Sequence, residues 1–184
     1  MADLAGRNIL AVVANRGVEQ DELKVPLERL RAAGADVVVA APEAGEVESL
    51  VGDWDRGERF AVDAVLEEVD PGGFDLLLLP GGTLNADAVR IDADAQRIAR
   101  AFAASGRPVA SICHGPWLLV ETGLVRGKTL TSYTSIRADI VNAGGLWEDD
   151  EASRCTAEGW TLITSRNPGD LDPFVEAIRD ELSG

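Results

Sequence analysis

The sequence predicts a single doubly wound α/β domain, with a mostly parallel central sheet, helices on both faces and a nucleophile elbow at Cys113. Three observations carry that expectation. Continuous apolar runs of strand length recur at 8–14 (NILAVVA), 36–41 (DVVVAA) and 75–79 (DLLLL), as buried parallel strands do. Segments with apolar residues at helical spacing lie between such runs, the alternation of a doubly wound sheet. The 184 residues are enough for one full core and too few for two comfortable ones, so 1–184 is read as one domain.

In chain order, the strand at 8–14 leads through a polar turn into a helix. Leu23, Pro26, Leu27, Leu30 and Ala33 share its face, and Gly34 stops it. With the strand at 36–41 this makes a βαβ unit, whose crossover should be right-handed. Gly45, Gly52 and Gly57 punctuate 43–63, which reads as one or two β-hairpins carrying the DWDRGE segment. A short helix is expected over 64–69, then a turn at 70–73. The strand at 75–79 ends in Pro80-Gly81-Gly82, and a helix with Ile98 and Phe102 inward follows over 92–104. Residues 108–112 form the next strand, and a helix opens at His114. A short extended piece (128–132), a helix near 135–143, an edge strand over 146–155, a strand over 159–165 and a closing helix over 171–182 complete the chain.

Composition limits the function. The formal charge is −15, from 32 acidic and 17 basic residues, which argues against nucleic acid and anionic membranes as partners. Cys113 and Cys155 give no disulfide framework. No apolar stretch approaches the roughly 20 residues of a membrane span, and MADLAGRN lacks the pattern of a signal peptide. The expected setting is cytoplasmic and reducing. The one histidine, His114, excludes metal sites built from several histidines, and neither metal nor cofactor is expected.

The chemistry concentrates at 106–117, GRPVASICHGPW. A cysteine at a sharp strand-to-helix turn is held exposed, with backbone N–H groups converging on it. The pattern Ser111-x-Cys113-x-Gly115 puts small residues where a tight elbow has least room. Ligands of such a sheet bind beyond the carboxyl ends of the strands, where Gly17-Val18-Glu19 and Gly81-Gly82 also fall. The Gly82 N–H is expected to join that of His114 as an oxyanion hole. Glu19 has two readings, a carboxyl group near the thiol kept protonated by desolvation or one more helix-terminal acid complementing the dipole, whereas Asp21 and Glu22 are fully explained as first-turn acids. His114 and Cys113 are sequence neighbours, so their side chains are expected to diverge.

At ASICHGPW the sequence resembles the PfpI family of intracellular cysteine peptidases, in the superfamily of the Parkinsonism-associated stress protein DJ-one. NRGVEQDELKVPLERLRAAGADVVVAAPE, LLLLPGG, TSYTSIRADIVNAGG and LITSRNPGDL extend the likeness over nearly the whole chain. The resemblance implies a flavodoxin-like fold with Cys113 as nucleophile, Glu19 as its carboxylate partner and His114 as the adjacent histidine. It also implies that Asp87, from a neighbouring subunit, orients His114. Tyr133 falls at the rim of the site, with Thr134 where proline is usual. Homodimers, and in some members hexamers, are the implied assemblies. Class I glutamine amidotransferases share the fold but need a histidine far downstream, and this chain has none after His114.

Three functions remain open. One is an enzyme that adds Cys113 to small reactive carbonyls, as a glutathione-independent glyoxalase or deglycase. Another is a peptidase or amidase dependent on an oriented His114. The third is a non-enzymatic redox sensor or chaperone-like stress protein with an oxidisable Cys113.

Overall fold

The computed structural model describes residues 4–184. Strand β1 (Asn8–Val12) carries a buried run from Ile9 to Val12. A short β2 (Arg16–Glu19) leads directly into helix α1 (Gln20–Ala32), then β3 (Asp36–Ala41). The hairpin β4 (Glu46–Val51) and β5 (Asp55–Ala61) precedes a two-residue β6 (Ala64–Val65) and β7 (Leu76–Leu79). Helices α2 (Thr83–Ile91) and α3 (Ala93–Ala104) connect to β8 (Val109–Ile112) and a short α4 (Trp117–Glu121). The remainder is β9 (Thr129–Leu130), α5 (Arg137–Asn142), β10 (Leu146–Trp147), β11 (Ser153–Cys155), β12 (Leu162–Ser165) and α6 (Leu171–Ser183).

The central sheet has the order β11-β12-β8-β7-β1-β3-β6. Every neighbouring pair is parallel except β11 with β12. From β1 the chain builds first toward β3 and β6, then returns to lay down β7, β8 and β12 on the other side. The winding therefore reverses between β1 and β7, and a crevice is expected at their carboxyl ends.

Period-two alternation along β1 feeds two cores. Ile9 and Ala11 face one side, packed with Leu23, Leu27 and Leu30 of α1 and Phe174 and Ile178 of α6. Leu10 and Val12 face the other, with Ile98 and Phe102 of α3 and Leu118 of α4. Helices thus cover both faces, as the alternating sequence requires. Among the described residues no helix is long and apolar enough to cross a membrane.

Several expectations are corrected. Residues 64–69 form no helix: β6 extends the sheet beside β3 and a single 3-10 turn over Leu66–Glu68 follows. Residues 16–19 are a strand, and β2, β4 and β5 make a separate three-stranded sheet. The segment 146–155 is two strands in different sheets, β10 paired with β9 and β11 with β12. Helix α2 was absent from the sequence-based expectation. Its apolar residues are mostly alanine and single branched side chains, so the periodic signal is faint.

Candidate active site

Cys113 follows β8 with φ +62°, a left-handed conformation that is uncommon outside glycine and marks a sharp, strained turn. The elbow is tied at three points. The Cys113 N–H donates to the Ser165 carbonyl at 3.0 Å, the Gly115 N–H to Ile112 at 2.9 Å, and the Tyr133 N–H to the Cys113 carbonyl at 2.9 Å. A Cβ on Gly115 would lie 2.4 Å from the Leu79 carbonyl oxygen and 2.6 Å from Ser111 Oγ. The elbow therefore has no room for a side chain there. Helix α4 starts only at Trp117, because 113–116 is spent on the turn.

The backbone N–H groups of Gly82 and His114 both act on the Cys113 sulfur, favouring its ionised form. Gly81 packs against the nucleophile: a Cβ there would lie 2.8 Å from Cys113 Cβ.

The carboxylate beside the thiol is Glu22, not Glu19. Glu22 is fully buried in the first turn of α1. Its Oε2 accepts the Gly81 N–H at 2.7 Å, its Oε1 is buried without a hydrogen-bond partner, and its carboxyl group and the Cys113 side chain influence each other's ionisation. Burial pushes its pKa up to about 8, against the opposing Gly81 N–H, and the nearby Glu19 and Asp53 charges add to the rise. Glu19 instead accepts the Gly52 N–H at 2.9 Å, pinning the tip of the β4–β5 hairpin. The first-turn explanation of Glu22 failed because it shares the i, i+4, i+8 face with Pro26 and Leu30, both buried. An acid in register with an apolar stripe was the available signal.

Burial raises the Cys113 thiol, and an ionised Glu22 raises it further, while the Gly82 and His114 N–H groups lower it. At neutral pH, however, Glu22 retains its proton. A neutral carboxyl group imposes no repulsion and offers an O–H donor, which opposes the rise that burial imposes on the thiol.

His114 is buried and its pKa is lowered by that burial, with the Asp53 charge acting the other way. Its Nδ1 lies 3.2 Å from Cys113 Sγ, so the two side chains converge rather than diverge. Its Nε2 lies 3.1 Å from Ser135 Oγ, and its ring stacks on Tyr133 with centroids 4.8 Å apart. Asp87 does not join this group within the chain. It pairs with Arg90 at 2.9 Å on α2 and is absent from the cleft lining.

The cleft has a volume of about 620 Å³. Gly52 and Asp53 form one wall, so the DWDRGE segment serves the pocket. The Asp53 carboxylate accepts the Thr83 N–H at 2.7 Å and its hydroxyl at 2.5 Å, capping α2 from the hairpin. Tyr133, Trp117 and Ser135 complete the rim.

A model of the DJ-1/PfpI family matches residues 7–181. The chain belongs to the DJ-1/PfpI family. Among its relatives, Deglycase PfpI of Pyrococcus furiosus is 40% identical over 163 residues, covering 89% of this chain and 92% of the relative. The putative cysteine protease YraA of Bacillus subtilis is 37% identical over 165 residues, covering 90% and 92%. The crystal structure of Drosophila melanogaster DJ-1beta superposes with a TM-score of 0.83 at 31% identity, over 97% of this chain and 91% of that one. The flavodoxin-like architecture of the DJ-1/PfpI fold is thus shared along the whole described length.

Proposed function

We propose that this DJ-1/PfpI protein is a cysteine-dependent enzyme that converts small 2-oxoaldehydes to hydroxy acids without glutathione. The observation that carries the reading is the buried Glu22 carboxyl held against Cys113 by Gly81. It supplies a protonated acid beside a nucleophile at neutral pH. A relative named as a deglycase supports carbonyl chemistry at this fold.

In the proposed reaction the Cys113 thiolate adds to the aldehyde carbon of methylglyoxal, and the resulting alkoxide takes a proton from Glu22, giving a hemithioacetal. The Gly82 and His114 N–H groups stabilise the alkoxide. The C1 proton is then removed, with Glu22 or neutral His114 as base, while the C2 oxygen is protonated. Reprotonation at C2 leaves a lactyl thioester on Cys113. Water cleaves it to lactate and restores the thiol, so the sum is methylglyoxal plus water giving lactate. Cys113 must stay reduced, and the cytoplasm is the proposed setting.

A second reading, peptide or amide hydrolysis, is favoured by the 3.2 Å Cys113–His114 approach beside an oxyanion hole. A homodimer or hexamer in which Asp87 of one copy orients His114 of another belongs to that reading.

The test is lactate formation from methylglyoxal, without glutathione, for wild type, Cys113→Ala and His114→Ala. Turnover lost with Cys113 and largely kept without His114 supports the carbonyl enzyme. Absence of turnover in the wild type removes it and leaves hydrolysis to be assayed with small peptides.

A further inference from the structure

The charged side chains on the walls of the cleft are of one sign. Glu19 and Asp53 line it beside the buried Glu22 carboxyl group, and among the described residues no lysine or arginine does. Asp53 and Glu19 are fixed rather than mobile, because Asp53 is bonded twice to Thr83 and Glu19 holds the Gly52 N–H. The field of Asp53 reaches both His114 and Glu22. The nearest guanidinium on that side, Arg90, lies 4.9 Å above the Trp117 ring and is paired with Asp87. On the opposite side, Arg166 is engaged by Asp149 and Asp170. Deeper in, Glu22 offers a fully buried oxygen with no nitrogen or oxygen partner. Among the described residues, therefore, no lysine or arginine of the cleft lining stands beside the nucleophile to receive an anionic group.

We propose that this cleft selects substrates by charge, accepting neutral and positively charged 2-oxoaldehydes and rejecting those that also carry a carboxylate. Asp53 is the main determinant, because its carboxylate stands at the wall and is held in place by Thr83. This deepens the carbonyl-enzyme reading, although charge selection at Cys113 is measurable without turnover. An anion entering the cleft meets fixed like charge in a site partly shielded from water, where a unit charge acts more strongly than at an open surface.

The experiment compares two methanethiosulfonates, one ending in an ammonium and one in a sulfonate. Each transfers its alkylthio group to the Cys113 thiolate, forming a disulfide as methanesulfinate leaves. Rates are read by mass at Cys113 and normalised to a free-cysteine peptide. The wild type is expected to favour the ammonium reagent about tenfold or more, and Asp53→Asn to reduce that ratio roughly three- to tenfold. Asparagine keeps an acceptor for the Thr83 N–H, and Glu19→Gln serves as a second neutralising variant should Asp53→Asn fold poorly. Asp36→Asn, at the opposite end of the sheet, should leave the ratio unchanged. Equal rates for the two reagents, or an equal effect of Asp36→Asn and Asp53→Asn, would overturn the proposal. The second result would trace selectivity to the overall charge. Parallel turnover of methylglyoxal and 4,5-dioxopentanoate, a 2-oxoaldehyde that also carries a carboxylate, separates the two readings. Reagent selectivity without turnover of either sinks only the carbonyl enzyme, while equal turnover of both sinks only charge selection.

Discussion

Glu22 Oε2 and the Gly81 N–H stand 2.7 Å apart, and this bond joins the first turn of α1 to the end of β7. It holds a buried acid against the same glycine that packs on the Cys113 side chain. The proton held between Glu22 and Cys113 is the quantity on which reactivity turns.

Replacing Glu22 should therefore act on the thiolate. With iodoacetamide at pH 7, Glu22→Ala is expected to alkylate at Cys113 at least about tenfold more slowly than wild type, because the sulfur loses a charge-assisted donor. Glu22→Gln, whose amide can still donate, should fall between. Equal rates in all three proteins would mean that the carboxyl group does not control ionisation.

The same residue links stability to pH. Its folded pKa, about 8, lies above the ordinary 4.5, so the folded protein holds a proton that the unfolded chain releases. That contribution is complete below about pH 4.5 and is lost as pH rises through 8. Urea denaturation from pH 5 to 8.5 should show stability falling more steeply in wild type than in Glu22→Gln. Parallel profiles would contradict the assignment.

The orientation of His114 separates two arrangements. Ser135 holds its Nε2 within one chain, so Ser135→Ala should lower any His114-dependent activity several-fold, the value of one hydrogen bond, and shift its pH profile. Asp87→Ala should matter only in an assembly. Leu84 and Ile91 flank Asp87 on α2 at 54% and 72% exposure, so sedimentation of wild type against Ile91→Glu tests whether this face is covered by a second copy. A monomeric wild type would remove the cross-subunit role.

Far from the cleft, Lys128 is fully buried, donates to the Ala157 and Trp160 carbonyls, and lies 3.8 Å over the Trp160 ring. Lys128→Met keeps the volume but strands two carbonyls. It should cost about 2–3 kcal/mol in chemical denaturation, with kcat little changed. A loss below about 0.5 kcal/mol would show that water replaces the ammonium group.

The sheet was legible because β1, β3 and β7 are unbroken apolar runs and the elbow has small residues at fixed offsets. The His114 N–H was proposed from the elbow and the Gly82 N–H from the glycine pair after β7. Glu22 was misread because local rules for helix ends explain any first-turn acid, while its burial depends on the angle at which α1 meets β7. Asp53 and Thr83 were out of reach for a different reason. They are thirty residues apart, and nothing in either segment encodes the hairpin folding back onto α2. The convergence of His114 on Cys113 arises from a left-handed backbone angle that sequence spacing does not reveal.

The sulfur's surroundings are gathered from segments near residues 22, 82, 114 and 135, which meet only when β1, β7 and β8 lie side by side. In a nascent or denatured chain, Cys113 is an ordinary flexible thiol with no acid, no converging amides and no imidazole held in place. Its special reactivity thus appears together with the finished topology, so electrophile labelling of this one atom doubles as an assay of correct folding.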